Sequence, residues 1–166
     1  SSIIASKHPM LRAVARCIGG YMDFANPEDR QLMEKISQSS PRNKVIMNLY
    51  AERFDSTTVN ALNSLPADDA LTLYLKAQRL CLQYSNQALL MRSADFNREE
   101  DPDFKHPDEV EFSMDEPIPY SVYEVAYIYL KRCFEKDRRF ILTAKADADI
   151  NEDLLNDVLG IKREKK

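Results

Sequence analysis

Two histidines are the first residues to weigh for chemistry, because imidazole changes charge nearest to neutral pH. His8 and His106 each sit in the same tripeptide, Lys-His-Pro. The following proline pushes its neighbour toward extended backbone, which accounts for position rather than for chemistry. Neither histidine has a Cys or Ser at a spacing diagnostic of a nucleophile–base pair, so no turnover is expected to depend on them.

Carboxylates are far more abundant. Residues 95 to 117 hold ten acids: Asp95, Glu99, Glu100, Asp101, Asp103, Asp108, Glu109, Glu111, Asp115 and Glu116. Two bases, Arg98 and Lys105, bring that segment to −8; the whole chain is −4, so the remainder carries +4. Acid–base catalysis needs carboxyls shifted by burial or by a close partner. In a loop these acids are expected to be solvated and unshifted. The calcium loop of an EF-hand needs a glycine at its sixth position and a glutamate at its twelfth, and no acidic window supplies both. Asp147, Asp149, Asn151 and Asp153 alternate like the start of such a loop, but Glu152 and Val158 stand where the glycine and the closing glutamate belong. No metal site and no cofactor is assigned.

Cys17, Cys81 and Cys133 lie far apart with no Cys-x-x-Cys spacing. An odd, dispersed set fits small core residues in a reducing compartment better than a disulfide framework or a zinc site. Only 3 glycines are present, too few for a phosphate-cradling loop or for the turns of a many-stranded fold.

The elements that must position these residues read as helices. Leu11, Val14, Ile18 and Tyr21 share one helical face after Pro9, so the N-terminal stretch is expected to be an ordinary first helix. It has the basic composition of a transit segment, with Lys7, Arg12 and Arg16 ahead of the first acid, Asp23. Asn26-Pro27 and Ser40-Pro41 each place a capping side chain before a proline at the first helical position, a helix-start grammar. A short helix over STTVNALNSL should follow. Residues 49 to 65 superficially resemble a helix-turn-helix, but Asp55 and Ser56 leave too little chain for the turn and no glycine follows the first helix.

Two long segments, 67–94 and 120–146, are expected at the centre. In the first, Leu73, Ala77, Leu80, Tyr84, Ala88 and Met91 form one stripe. In the second, residues 122 to 130 are apolar nearly all round. A strand is the alternative there, but no hairpin partner is evident. Leu80 and Tyr127 are expected in the core. Asp149 and Glu152 have capping-box spacing before a last helix that Gly160 stops. The fold class is therefore all-α: one helical domain over 1–166, a bundle of six to seven helices, with an acidic, proline-containing loop at 95–119 and a basic tail at 162–166.

That acidic loop carries phenylalanines among its charges, and a purely solvating loop has no need of them. It reads as a docking segment, with Glu99, Glu100, Asp101, Asp103, Phe104 and Phe112 as the partner-binding residues. The apolar rings would give affinity, or pin the loop onto its own domain, while the acids steer encounter. Its charges are expected to be dispensable for folding. The competing readings are a plain solvated linker and an acidic mimic of nucleic acid. Arg132, Lys136 and Arg139 recur at steps of 4 and 3 within KRCFEKDRRF, a basic helix face that could contact phosphate or attract the acidic loop of the same chain.

The expected function is a non-enzymatic helical adaptor or accessory subunit of a larger cytoplasmic assembly, working through protein partners. The alternative is a nucleic-acid-binding accessory protein that uses the 131–140 face. A third is an enzyme whose site is scattered through the sequence. No apolar run approaches the ~18 residues of a membrane span.

Overall fold

In the computed structural model, residues 25–85, 88–108 and 119–161 are described, with side chains left aside at 88–90. The expected helix around Leu11 to Tyr21, His8, Cys17, Phe112 and the basic tail lie outside these residues. The fold is all-α. Eight α-helices occur among the described residues: α1 (Pro27–Ser39), α2 (Pro41–Tyr50), α3 (Ser56–Asn63), α4 (Ala70–Gln83), α5 (Ala88–Ser93), α6 (Val122–Lys136), α7 (Phe140–Ala146) and α8 (Glu152–Leu159). A 3-10 turn, Arg98–Glu100, lies between α5 and α6. None of these helices is long and apolar enough to cross a membrane. The chain groups into two compact units, Ser1–Leu65 and Pro66–Lys166.

In the first unit, local capping sets the helix starts. Asn26 Oδ1 accepts from Glu28 N (2.9 Å) and Asp29 N, and Pro27 opens α1. Ser40 Oγ accepts from Asn43 N at 3.0 Å ahead of Pro41. These bonds satisfy backbone N–H groups that a helix start otherwise leaves unpaired. Met33, Ile36 and Met47 form the core, with Leu32 and Tyr50 against it. Between α2 and α3, Glu52 takes φ 55, the left-handed geometry that a glycine would adopt without strain. The buried Thr58 hydroxyl donates to Arg53 O at 2.8 Å.

The second unit is built on α6, which packs against α4, α5, α7 and α8. Val122, Val125, Ala126, Ile128, Tyr129, Leu130, Cys133 and Phe134 are buried along it. Leu73, Ala77 and Leu80 meet them from α4. Residues 122 to 130 are helical, not a strand. Leu80 is in the core as expected, but Tyr127 is only partly buried and Tyr129 takes the interior place.

Both long segments divide. The first stops at Gln83 with Tyr84 as its C-cap, and α5 begins at Ala88. Ser85 follows that C-cap, and serine side chains compete for backbone hydrogen bonds and weaken a helix interior. The second stops at Lys136 because the Asp137 carboxylate turns back on the chain, accepting from Arg139 N (3.0 Å) and from the Arg139 side chain (3.0 and 2.8 Å). This is an Asx-type turn. Arg132, Lys136 and Arg139 are therefore not one continuous helix face, a correction to the sequence reading. The cap of α8 also moves: Asn151, not Asp149, accepts from Leu154 N at 3.0 Å. Gly160 ends the helix at φ 70.

Candidate functional site

The acidic insertion is clasped at its base. Asp95 and Ser121 form an antiparallel bridge, with Phe96 N donating to Tyr120 O and Val122 N to Ala94 O, both at 2.8 Å. Chain that leaves α5 is thus tied directly to chain that enters α6. Closing a long excursion this way removes most of the conformational freedom of its ends.

The outgoing limb then folds inward. Phe96 and Phe104 are buried, edge to face at 5.7 Å between centroids, and Phe104 meets Tyr129 at 5.6 Å. Aromatic pairs in this geometry stabilise beyond their area alone. Arg98 Nη2 donates to Phe104 O at 3.2 Å, and Arg132 Nη2 of α6 donates to Lys105 O at 2.6 Å. His106 stacks on Tyr120 with centroids 4.3 Å apart. Its Nδ1 accepts from Asp108 N at 3.0 Å, which leaves Nε2 as the donor to Glu124 Oε1 at 2.7 Å. Two contacts that each take one ring nitrogen fix the orientation of the ring. His106, read from sequence as lacking partners, has them, and they position the limb.

At the centre of this arrangement lies Asp101. It is buried, and its Oδ2 accepts from Lys76 Nζ at 2.9 Å and from Tyr129 OH at 2.6 Å. The ammonium also sits 5.6 Å from the Tyr129 ring centroid, within cation–π range. Beside it, Glu100 Oε2 accepts from Arg79 Nη2 at 2.7 Å. Burial, then the hydrogen bond to the Asp101 carboxylate, pushes the Tyr129 phenol far above its ordinary value, so it stays a neutral donor. Tyr74 is pushed up in the same way by burial and by its bond to Asp147 Oδ2 at 2.6 Å.

Over this triad opens a cavity of about 400 Å³. Leu73 and Lys76 of α4 line it one helical turn apart, and Tyr129, Arg132, Glu135 and Lys136 line it from α6. The loop adds Asp101, Asp103 and Phe104, and the chain ahead of α4 adds Ala67 and Asp68.

The residues singled out in the sequence separate accordingly. Glu99 and Asp103 are exposed, as is Asp108, while Glu100 is half-buried against Arg79. Asp101 and Phe104 are buried in their own domain, so the loop is pinned as well as acidic. Arg132 and Lys136 reach the cavity, whereas Arg139 is exposed and paired with Asp137 at 2.8 Å. Cys81 and Cys133 are buried free thiols, pushed up by burial to about 11 and about 12, the behaviour of inert core cysteines. Among the described residues no group of three His, Cys, Asp or Glu side chains converges for a metal ion.

Sequence reasoning missed Lys76 and Tyr129. The signal for Lys76 was its phase, one turn from Leu73 and Leu80 on a stripe otherwise apolar. A charge at such a position requires a partner. Compared with protein families, with curated proteins and with solved structures, the chain shows no match.

Proposed function

We propose that the protein is a non-enzymatic helical adaptor or accessory subunit of a cytoplasmic assembly, and that the acidic loop docks on a basic surface of a protein partner. The observation that supports this reading is the clasped base and pinned outgoing limb of the loop. Phe96, Phe104 and Asp101 are committed to the interior, while Glu99, Asp103 and Asp108 stand exposed on the same limb. A pre-ordered acidic surface loses little conformational freedom on binding. Its charges act chiefly on encounter rate and selectivity. The sequence that follows continues the same chemistry, with Glu109, Glu111, Asp115 and Glu116 around Phe112. The free thiols of Cys81 and Cys133 accord with a reducing compartment. The nucleic-acid reading is not proposed, because Arg132 is tied to Lys105 O and Arg139 to Asp137.

The test replaces Glu99 and Asp108 with Gln and Asn. Partners are identified by cross-linking and mass spectrometry, and binding of each purified partner is then measured at low and high salt. The expected result is a basic partner whose affinity falls in the variant, by up to about 1 kcal/mol per exposed charge, and whose salt dependence weakens. Unchanged affinity and salt dependence for every partner would leave the loop a structural insertion only.

A further inference from the structure

The cavity between α4, α6 and the loop is not accounted for by the docking of a protein on the outer face of the loop. We infer that it is a binding site for a small zwitterion of the amino-acid class, carrying a carboxylate, an ammonium and an apolar side chain.

The charges of the lining select that chemistry. Lys76 is compensated by Asp101 at 2.9 Å. Of the remaining groups, Arg132 and Lys136 are cationic and Asp68, Asp103 and Glu135 are anionic. The side chains of Lys136, Asp68, Asp103 and Glu135 make no hydrogen bond or ion pair among the described residues. Both signs thus stand available around one opening. A phosphate or other simple anion would meet three carboxylates. A polyamine would meet Arg132 and Lys136. A molecule with one charge of each sign satisfies both sets, its carboxylate toward Lys136 and the Arg132 N–H groups that Lys105 O does not take, and its ammonium toward the carboxylates.

The rest of the lining supplies what such a ligand needs besides charge. Leu73, Phe104 and the Tyr129 ring give apolar contact. Lys76 donates one hydrogen bond among the described residues, to Asp101, out of the three that an ammonium can make. A volume of about 400 Å³ lies within the range of small-molecule sites, which pair apolar walls with a few placed polar groups. The site is also preorganised, since the Lys76–Asp101–Tyr129 contacts hold the floor and the clasp holds the loop.

The experiment uses the full chain labelled with ¹⁵N and the standard amino acids as probes, titrated by backbone amide shifts and by calorimetry. For the tightest binder, the two matched half-molecules are titrated alongside, one lacking the ammonium and one lacking the carboxylate, with inorganic phosphate and spermidine as single-sign controls. At least one amino acid should bind saturably, with shifts at Lys76, Asp103, Tyr129 and Lys136. Each half-molecule should bind at least about tenfold more weakly, a difference of about 1.4 kcal/mol. Lys136→Met should reduce the advantage over the half-molecule without a carboxylate, and Asp68→Asn should reduce the advantage over the one without an ammonium. Both residues are exposed, so the variants should keep the fold, verified by unchanged shifts elsewhere. No saturable binding by any amino acid would overturn the inference. So would phosphate, spermidine or a half-molecule binding as tightly as the zwitterion. Because neither Lys136 nor Asp68 belongs to the docking test at Glu99 and Asp108, failure of this site and failure of the adaptor reading remain distinguishable.

Discussion

Asp101→Asn is the substitution that most directly tests how the acidic loop is held. The side chains of Lys76 and Asp101 are 9% and 10% exposed, so water screens their attraction little. Asparagine keeps the volume and still accepts the Tyr129 hydroxyl. It removes the counter-charge and leaves the Lys76 ammonium buried without one. Removing one member of a buried pair costs about 3–5 kcal/mol, more than the pair contributes relative to an apolar replacement, because the orphaned charge carries its full desolvation penalty. With a urea dependence of about 2 kcal/mol/M, the unfolding midpoint should fall by about 2 M. Far-ultraviolet circular dichroism follows the whole chain. Thiol labelling in a Cys17→Ser background follows the second unit alone, since Cys81 and Cys133 are both buried there. Adding Lys76→Met to Asp101→Asn removes the orphaned charge and should recover most of the loss. A fall below about 1 kcal/mol would refute the assignment of Asp101 as a buried counter-ion. So would a double variant no more stable than Asp101→Asn. Converting Glu99, Glu100, Asp101 and Asp103 together to amides, which the sequence suggests leaves stability unchanged, should lower it, and restoring Asp101 and Glu100 should reverse most of the effect.

Phe104→Ala should cost about 3–5 kcal/mol by the same urea assay, because the ring is 3% exposed among Phe96, Tyr120 and Tyr129; a loss near zero would mean that the loop is not anchored there. Gly160→Ala should cost about 1–2 kcal/mol from backbone strain alone, since φ is 70 and nothing lies within 4 Å of an added Cβ; an unchanged midpoint would contradict the left-handed cap. Stability should decline in alkali, because burial pushes Cys81 from 9.0 to about 11 and Cys133 from 9.0 to about 12. The unfolded chain then releases these protons first, so their contribution is complete below pH 9 and falls by about 1.4 kcal/mol per group per pH unit above it. Urea midpoints that stay flat from pH 9 to 11, where Cys81 alone spans its whole shift, would count against the burial of these thiols.

What was legible in the sequence was local. Asn26-Pro27 and Ser40-Pro41 encode helix starts within a few residues, and the side-chain oxygens accept where that grammar puts them. Gly160 encodes a stop for the same reason. The phase of α6 was harder to read, because Tyr123, Tyr127 and Tyr129 are interchangeable on a helix that is apolar nearly all round. Packing decides among them, and Tyr129 shares the inward side with Val122, Val125, Ala126 and Cys133. Helix breaks were missed where no glycine or proline marks them. At Asp137 the interruption comes from a side chain folding onto its own backbone, and aspartate also occurs in unbroken helices. The pairing of Lys76 with Asp101 spans 25 residues. The phase of Lys76 on an apolar stripe asks for a partner but does not say which one, since an aspartate in an acidic loop is ordinary by itself.

That pairing changes what a charge count of the loop means. A net charge of −8 over residues 95 to 117 treats every acid as a unit that a partner would feel. Among the described residues, two of them are compensated inside the domain, Asp101 by Lys76 and Glu100 by Arg79. Arg132 reaches Lys105 O and fixes a cation against the limb from the α6 side. The acids left exposed on the outgoing limb are Asp95, Glu99, Asp103 and Asp108, with the base Lys105 exposed among them. The loop therefore divides its acids by depth. Inner ones hold it to α4 and α6 at energies that folding notices, and outer ones present a weaker, salt-screened field to solvent. A sequence in which the inner acids were neutralised and the outer ones kept would retain most of the visible charge and lose the frame that orients it. The reverse change would keep the frame and lose the steering. Mutating the acids by depth rather than by count is what separates folding from recognition in this protein.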